Sequence, residues 1–331
     1  MGVNLRLDIV LTPFDLMSLA FSAPAKIILF GEHAVVYGQP AIAVPVSSLR
    51  VRAVVHPAAS AGILIRARDL GQEIRVLGAA DLNEQSPLAW IAAYTARALE
   101  QPILSGEIDL KSDIPLASGL GSGAAISAVL VRSVAALGGV RLEDQAVNEL
   151  VYQSEKIYHG NPSGVDNTVI VFERGLYFRR SHPYSFMTMR NKYEILIADT
   201  GIRASTKIAV GGVRRLFEQD RDHIEPAIQE IGIISAEARE LLESQTDQHP
   251  ALGALMSRNH ALLQMLQVSS PELDQLVDAA QNAGAFGAKL SGGGMGGNMI
   301  ALVDEAHIAP VSEALKQAGA VRVIHTTVGE N

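Results

Sequence analysis

A glycine-rich loop followed by a helix that is apolar on nearly every face is the strongest constraint on this fold. The loop occupies 117–123 (Ala-Ser-Gly-Leu-Gly-Ser-Gly) and follows a predicted strand at Ile108–Lys111. The helix is predicted over Ala124–Leu137, where Arg132 is the only charged residue. A helix without a polar face is buried, so other elements must cover it. The glycines allow the backbone to approach a ligand closely, and the N-terminus of the helix offers N–H donors to an anion, most naturally a phosphate.

The loop alone leaves the ligand open, because a tight turn without a ligand explains the glycines about equally well. The loop lacks the lysine of a Walker motif, and Ile126 stands where the dinucleotide fingerprint has its third glycine. Leu120 replaces the first glycine of a nucleophile elbow around Ser122, which disfavours a serine hydrolase.

Composition and charge exclude several classes of protein. The 331 residues can form one large or two ordinary domains, and the net charge of −8 lacks the basic footprint of a nucleic-acid-binding protein. The chain contains no Cys, which excludes disulfide scaffolds, thiolate zinc sites and a cysteine nucleophile. No run of apolar residues is long enough to cross a membrane, so we expect a cytoplasmic protein without nucleic-acid or membrane partners. Residues 1–19 are predicted to be an extension before the domain, with Met17 as a candidate for the natural start.

Strands and helices interleave in both halves of the chain, which predicts an α+β or α/β class. Ile170–Phe172 and Leu176–Phe178 are predicted to form a hairpin, and the polar segment 181–192 to hold the domain boundary. The other predicted strands are Ala25–Phe30, Ile42–Val46, Leu49–Val55, Ile63–Arg66, Glu73–Val76, Tyr193–Asp199, Asn298–Val303 and Val321–Thr326. The other predicted helices are Pro87–Leu99, Asp144–Tyr158, a segment of helical spacing from Ile224 to Leu242, 252–266 and one that starts at Ser270-Pro271.

A second glycine loop, Ser291–Gly297, has glycine at five of the six positions 292–297. Its spacing matches G-x-G-x-x-G, but the loop precedes a strand instead of opening a helix, which excludes a dinucleotide site. So many glycines indicate close approach of the backbone to a ligand or to another chain segment. A packed turn is the alternative.

Charged residues at the ends of predicted elements are candidates for chemistry. Lys26 lies inside an apolar strand, where it must meet a carboxylate or extend its ammonium to water. Glu32 and His33 follow the same strand. Glu155 lies near a helix end and Asp166 after a Pro/Gly turn, so these acids could hold a metal and act as a base. Alone, an acid at either position is more often a solvated surface group.

Four segments together resemble the GHMP kinase family, most closely its mevalonate kinase branch. They are Lys26–Gly38 (K-x-x-L-x-G-E-H-A-V-V-Y-G), Pro115–Ala125, Glu155–Asp166 with its H-G-x-P-S-G-x-D core, and Lys289–Gly297. The resemblance covers residues 20–328, and its order and spacing are highly specific. The triplet Gly31-Glu32-His33 favours the mevalonate kinase branch.

The resemblance implies a fold and a reaction. The fold is a two-domain α+β architecture: a ribosomal S5 domain 2-like domain at 20–188 and a ferredoxin-like domain at 189–331, with the site between them. The reaction is ATP-dependent phosphorylation of the C5 hydroxyl of (R)-mevalonate, with ATP and Mg²⁺ as cofactors. A homodimer is compatible with the resemblance.

The resemblance also implies roles for individual residues. Asp166 would be the catalytic base, Lys26 would pair with it, and Glu155 and Ser122 would bind Mg²⁺. The nucleotide would contact Ser112, Ala117, Ser118, Gly119, Leu120, Gly121, Ser122 and Gly123. The substrate would contact Glu32, His33, Thr206 and Arg203. This chain departs from many relatives at Gly123, where they have a second serine that contacts magnesium, and at Met295, where glycine is common.

Two alternatives remain at the level of sequence. Another GHMP kinase activity, as a phosphomevalonate kinase or a mevalonate 3-kinase, would need extra cations, and Lys207, Arg214 and Arg215 are near in the chain. A ligand-binding homologue without catalysis is disfavoured, because it has no need of Lys26 and both acids.

Overall fold

The computed structural model describes residues 7–10, 19–79, 82, 86–101, 104–115, 118–159, 162–203 and 205–329. Within the predicted N-terminal extension, Leu7–Val10 forms a short strand. The candidate start at Met17 lies outside the residues that the structure describes.

The strands are β1 (Leu7–Val10), β2 (Leu19–Phe30), β3 (Pro40–His56), β4 (Gly62–Ala67), β5 (Gln72–Val76), β6 (Ser105–Ser112), β7 (Val140–Leu142), β8 (Leu176–Arg179), β9 (Ser185–Phe186), β10 (Tyr193–Asp199), β11 (Gly287–Ser291), β12 (Asn298–Val303) and β13 (Arg322–Val328). The helices are α1 (Pro87–Ala98), α2 (Ser122–Leu137), α3 (Asp144–His159), α4 (Val165–Phe172), α5 (Thr206–Gln219), α6 (Arg221–Leu242), α7 (His249–Met265), α8 (Pro271–Asn282) and α9 (Ile308–Gln317). This mixture of strands and helices confirms the predicted α+β class. Among the described residues, no helix combines the length and the apolar character needed to cross a bilayer.

The chain divides into two compact units. The first comprises 1–25, 49–115 and 121–173, and the second comprises 26–48, 116–120 and 174–331. Strands β2 and β3 therefore contribute residues to both units. The domain limits expected from the resemblance, 20–188 and 189–331, stay a prediction.

In the first unit, the central helix α2 is covered as its composition predicts. Its middle residues, from Ala128 to Val131, are fully buried, and α2 packs against α1, α3 and α4. The sheet beside these helices places β4 between β5 and β6, parallel to β6 and antiparallel to β5. Residues 51–56 of β3 continue it on the other side of β6. The short strand β1 pairs with β7 in a separate two-stranded sheet.

The predicted hairpin at Ile170–Phe172 is wrong, because these residues form the last turn of α4. The helix begins after Gly164 (φ 88°) and ends at Glu173 (φ 52°), both in the left-handed region. Val169, Ile170 and Val171 are all buried, so the segment shows neither helical nor strand periodicity. A short apolar run of this kind cannot be told from a strand by pattern alone. The second strand of the predicted hairpin, Leu176–Phe178, lies in β8, which pairs with residues 40–43 of β3 and with β9.

In the second unit, an antiparallel sheet with the order β11-β12-β10-β13 carries helices that bury its apolar side chains. In β10, Ile197 pairs with Ile300 on one side and with Ile324 on the other. The predicted start of α8 is confirmed: the Ser270 hydroxyl accepts a hydrogen bond from the N–H of Leu273, and a proline occupies the first turn. The segment 181–192, expected to be irregular, contains the short strand β9.

Helix α7 crosses β11 with backbone against backbone. A Cβ atom on Gly253 would lie 2.2 Å from the carbonyl oxygen of Phe286, and one on Gly287 would lie 2.0 Å from the carbonyl oxygen of Gly253. Side chains at these positions would push the helix off the strand. The two glycines therefore set the depth at which α7 rests on β11.

Gly253→Ala should lower the free energy of unfolding by about 1–3 kcal/mol, the usual cost of overpacking, although alanine is normally the better helix former. Gly211→Ala in α5 is the matched control, because its nearest neighbour would be the flexible end of Arg215 at 3.8 Å. That substitution should raise stability by roughly 0.4–1 kcal/mol. Urea unfolding of both variants measures the change in the free energy of unfolding. A Gly253→Ala variant that is more stable than the wild type would contradict the close contact between α7 and β11.

Candidate active site

The first turn of α2 carries the donors predicted for a phosphate. Gly121 caps the helix with φ 77°, no side chain caps its end, and Gly119 has φ 79°. The first helical hydrogen bond of this turn runs from Ala125 N–H to the carbonyl of Gly121. The amides before it are the ones a helix end offers to an anion, and the helix dipole favours negative charge there.

Glu155 lies beside this turn. It is 7% exposed on α3, and a Cβ atom on Gly123 would lie 3.6 Å from its Oε1. A carboxylate beside Gly123, with the Ser122 hydroxyl one residue earlier in the chain, supplies oxygen ligands of the kind Mg²⁺ prefers. Among the described residues, no three His, Asp or Glu side chains form a metal site. The residues therefore fit a magnesium ion that takes its other ligands from phosphates and water, as Mg²⁺ usually does.

Polar contacts next to the two acids hold their helices together. Beside Glu155, Ser154 on α3 shares a hydrogen bond of 3.2 Å with Ser127 on α2. Beside Asp166, the Asn167 amide on α4 donates to Asn148 Oδ1 on α3 at 2.7 Å. These contacts lie among buried residues, where a polar group requires a partner, so they fix how α2, α3 and α4 face one another.

Asp166 is the second residue of α4. The chain enters this helix through Gly164, whose carbonyl accepts a hydrogen bond of 2.7 Å from the Thr168 hydroxyl. Asp166 is half-buried in the first turn of α4, at the end of the helix that attracts negatively charged side chains. An ionised carboxylate is the form that a general base requires.

In the second unit, β2 carries Lys26, which is 4% exposed. Its backbone N–H donates to the carbonyl of Leu120 at 3.0 Å. The Asn298 amide donates to the carbonyl of Ser118. Residues 118–120 of the glycine loop are thus tied to β2 and β12. The charge of Lys26 also acts to lower the pKa of Glu32, which places the ammonium within electrostatic reach of that carboxylate.

Glu32 forms an ion pair with Lys289 of β11, and both side chains are completely buried. Lys289 Nζ also donates to the carbonyl of Leu290 at 2.6 Å. Burial raises the pKa of Glu32 and lowers the pKa of Lys289, and the charge of each residue opposes the shift of the other. Sequence reasoning assigned no role to Lys289. The sequence did carry a signal for a buried ion pair at this position, because a lysine in an apolar strand needs a partner, as Lys26 also does.

His33 lies beside this pair in a left-handed backbone conformation (φ 61°). Its Nε2 lies 2.9 Å from the carbonyl of Gly293, so Nε2 carries the proton and donates. Burial lowers the pKa of His33 to about 4, so the ring is neutral at pH 7 and Nδ1 is an acceptor. Within the described part of the chain, neither His33 Nδ1 nor Glu32 Oε2 has a hydrogen-bond partner. Two neighbouring residues thus present buried acceptors that a ligand could satisfy.

Thr206 joins this group at the start of α5. A Cβ atom on Gly293 would lie 2.9 Å from the Thr206 hydroxyl oxygen. Thr206 and His33 therefore both lie against the backbone at Gly293. Arg203 lies in an exposed segment before α5, and its contact with substrate stays a prediction.

Other chain segments account for much of the second glycine loop. A Cβ atom on Gly294 would lie 2.0 Å from the carbonyl oxygen of Val268, and one on Gly296 would lie 2.7 Å from that of Ile202. Met295 is 43% exposed, while its backbone N–H donates to Val268. The close approach predicted from the glycines is therefore made to backbone at these positions.

Two further residues, Ser112 and Ala117, were predicted to contact the nucleotide. The Ser112 hydroxyl donates to the carbonyl of Ile114 at 3.1 Å and accepts from its N–H at 3.2 Å, which closes a turn at the end of β6. Ala117 lies outside the described residues. Contact of either residue with a nucleotide stays a prediction.

Comparison with known proteins gives matches in both halves of the chain. Residues 88–175 match the family model described as "GHMP kinases N terminal domain", and residues 237–321 match "GHMP kinases C terminal". The mevalonate kinase of Pyrococcus horikoshii is 34% identical over 321 residues, covering 92% of this chain and 93% of the relative. The mevalonate kinase of Thermococcus gammatolerans is 35% identical, covering 93% and 96%.

Solved structures extend the likeness to the fold. The Methanococcus jannaschii mevalonate kinase superposes with a TM-score of 0.83 at 25% identity, covering 95% of this chain and 98% of that one. The L. major mevalonate kinase in complex with R-mevalonate gives 0.83 at 25% identity, covering 99% of each chain. A Streptococcus pneumoniae phosphomevalonate kinase shares the fold at 17% identity and a TM-score of 0.74. The chain belongs to the GHMP kinase family, in its mevalonate kinase branch.

Proposed function

We propose that this protein transfers the γ-phosphoryl group of ATP to the C5 hydroxyl of (R)-mevalonate and releases 5-phosphomevalonate. The observation that carries the proposal is the buried pair of acceptors on Glu32 and His33, in a chain about one-third identical to mevalonate kinases over nine-tenths of its length. A small molecule with hydroxyl groups supplies the donors that these acceptors lack. The L. major relative was solved with R-mevalonate bound.

Phosphoryl transfer needs positioning and neutralisation of charge more than covalent chemistry. In this proposal Asp166 accepts the proton of the C5 hydroxyl as it attacks, and Lys26 stabilises the charge that develops. The first turn of α2 cradles the phosphates of the nucleotide. Glu155 and Ser122 would hold Mg²⁺, which when bound neutralises phosphate charge.

On the substrate side, Glu32, His33 and Thr206 would receive the hydroxyl groups of mevalonate. Arg203 would pair with its carboxylate, since guanidinium groups bind carboxylates in a bidentate manner. A cytoplasmic location fits the requirement for ATP, and a homodimer stays a prediction. Of the cations considered for the second phosphate of phosphomevalonate, Arg214 is already paired with Glu218 at 2.9 Å.

The purified protein should release ADP in the presence of MgATP and mevalonate, and phosphorus NMR should place the new phosphate on C5. Phosphomevalonate, homoserine and galactose, tested at the same concentration, should give rates at least about 100-fold lower. A pocket built to receive particular hydroxyl groups rejects ligands that leave its buried polar atoms unpaired. Phosphate on the C3 hydroxyl, or turnover with phosphomevalonate alone, would contradict the proposed specificity.

Asp166→Asn should lower kcat by roughly 10²–10⁴-fold, the usual contribution of a general base, while the Kd for ATP stays unchanged. The amide keeps the shape of the side chain and removes its proton affinity. Asp144→Asn is the matched control, since Asp144 also lies in the first turn of a helix, where it pairs with Arg132 at 2.8 Å. The control should keep wild-type turnover. Wild-type turnover by Asp166→Asn would exclude this residue as the base.

Gly123→Ser should strengthen binding of MgATP by roughly fivefold, the effect of one net hydrogen bond or ligand. The new hydroxyl would extend from a Cβ position 3.6 Å from Glu155 Oε1, beside the proposed metal. Gly123→Ala adds the same Cβ without the hydroxyl and should leave the affinity unchanged. Calorimetry with and without Mg²⁺ distinguishes the cause, because equal strengthening without the metal would show that the hydroxyl contacts the nucleotide instead.

A further inference from the structure

Lys289 is a fully buried cation on a strand at the edge of its sheet. Removing an ammonium from water is costly unless strong partners replace the solvent. Lys289 has two partners: Glu32 Oε1 and the carbonyl of Leu290. A packed apolar pair of the same volume would often be as stable as such an ion pair. Stability alone therefore does not explain why the charges are kept here.

Leu290, whose carbonyl accepts from Lys289, is also held through its N–H. The N–H of Leu290 donates to Nδ1 of His260 at 3.3 Å. Nε2 of His260 therefore carries the proton and donates to Asp274 Oδ1 at 3.1 Å. The Ser269 hydroxyl donates to the same carboxylate oxygen. Both backbone groups of Leu290 are thus engaged, the N–H by His260, which is held at the start of α8, and the carbonyl by the ammonium of Lys289.

The residues that carry the two open acceptors, Glu32 and His33, lie within electrostatic reach of this ammonium. Lys289 engages only Oε1 of Glu32, which leaves Oε2 without a partner among the described residues. Its charge also reaches the neighbouring imidazole, since it contributes to the lowered pKa of His33. Four residues further along the chain from Lys289, the carbonyl of Gly293 accepts the hydrogen bond that orients His33. The segment 289–293 therefore contacts both members of the acceptor pair.

We infer that Lys289 is a positioning residue for phosphoryl transfer, which fixes the Glu32 carboxylate so that Oε2 receives a substrate hydroxyl beside His33. This inference rests on the proposed function. Lys289 acts through Glu32 and does not contact the substrate. Its removal should therefore loosen the binding of the hydroxyl substrate and leave the nucleotide unaffected.

The test measures steady-state kinetics of Lys289→Met, whose side chain has a similar length without the charge. The KM for mevalonate should rise roughly 10- to 100-fold, as expected when a group that supports a binding residue is lost. The KM for ATP should stay within about twofold of wild type. A fraction of unfolded enzyme lowers kcat but leaves KM unchanged, so a purely structural role would not produce this pattern. Lys316→Met, the same change at an exposed position on α9, should behave as wild type.

The variant Glu32→Gln and the double variant Lys289→Met/Glu32→Gln complete the experiment. The double variant leaves no charge at either position, and in Glu32→Gln the amide oxygen can still accept a hydrogen bond from Lys289. Glu32→Gln should raise the KM for mevalonate to a similar extent, and the double variant should match it within about threefold, because Lys289 acts only through Glu32. If Lys289→Met does not fold, these two variants still decide the question.

Three results would overturn the inference. They are a wild-type KM in folded Lys289→Met, a wild-type KM in Glu32→Gln, or a double variant impaired by the product of the two single effects. Each of these requires a wild-type protein that phosphorylates mevalonate. A wild-type protein without that activity would instead overturn the proposed function, and the inference with it.

Discussion

The site in the second unit depends on one buried ion pair. Glu32 and Lys289 come from opposite ends of the sequence, and both lose all contact with water. Each charge is tolerated only because the other is present, so the turn after β2 and the strand β11 must meet. Gly31, directly before Glu32, lies against β3, where a side chain would overlap the backbone of Ala41. The Ser291 hydroxyl joins β11 to β2, because it bonds to both backbone groups of Ile28.

The first unit uses neutral polar contacts for a comparable purpose. Most of the side chains buried between its helices are apolar, and apolar surfaces can pack in several registers. The serine pair between α2 and α3, and the asparagine pair between α3 and α4, require particular alignments. Each pair stands directly beside an acid with a proposed role, Glu155 or Asp166. The alignment that satisfies the buried polar groups is therefore the one that places the acids.

Glycine serves different ends in different parts of this chain. At Gly253 and Gly287 it lets a helix rest directly on a strand, and at Gly294 it lets a loop meet the backbone of Val268. At Gly121 it turns the chain so that the end of α2 is left without a side-chain cap. The first two uses are structural, whereas the last leaves amide donors available to a ligand. A count of glycines could not separate these uses, because all of them need a residue without a side chain.

The sequence by itself determined the class of the fold, the buried helix after the first glycine loop, the cap at Ser270 and the family of kinases. These follow from local patterns: periodicity, capping residues, and motifs whose spacing is rigid. It did not determine that Ile170–Phe172 is helical, because burial on all sides removes the polar face that marks a helix. Nor did it reveal the partner of Lys289, 257 residues away in the chain. Only the tertiary structure decided which buried charges neutralise each other and which acceptors are left open, because desolvation and pairing depend on neighbours in space, which the order of residues does not specify.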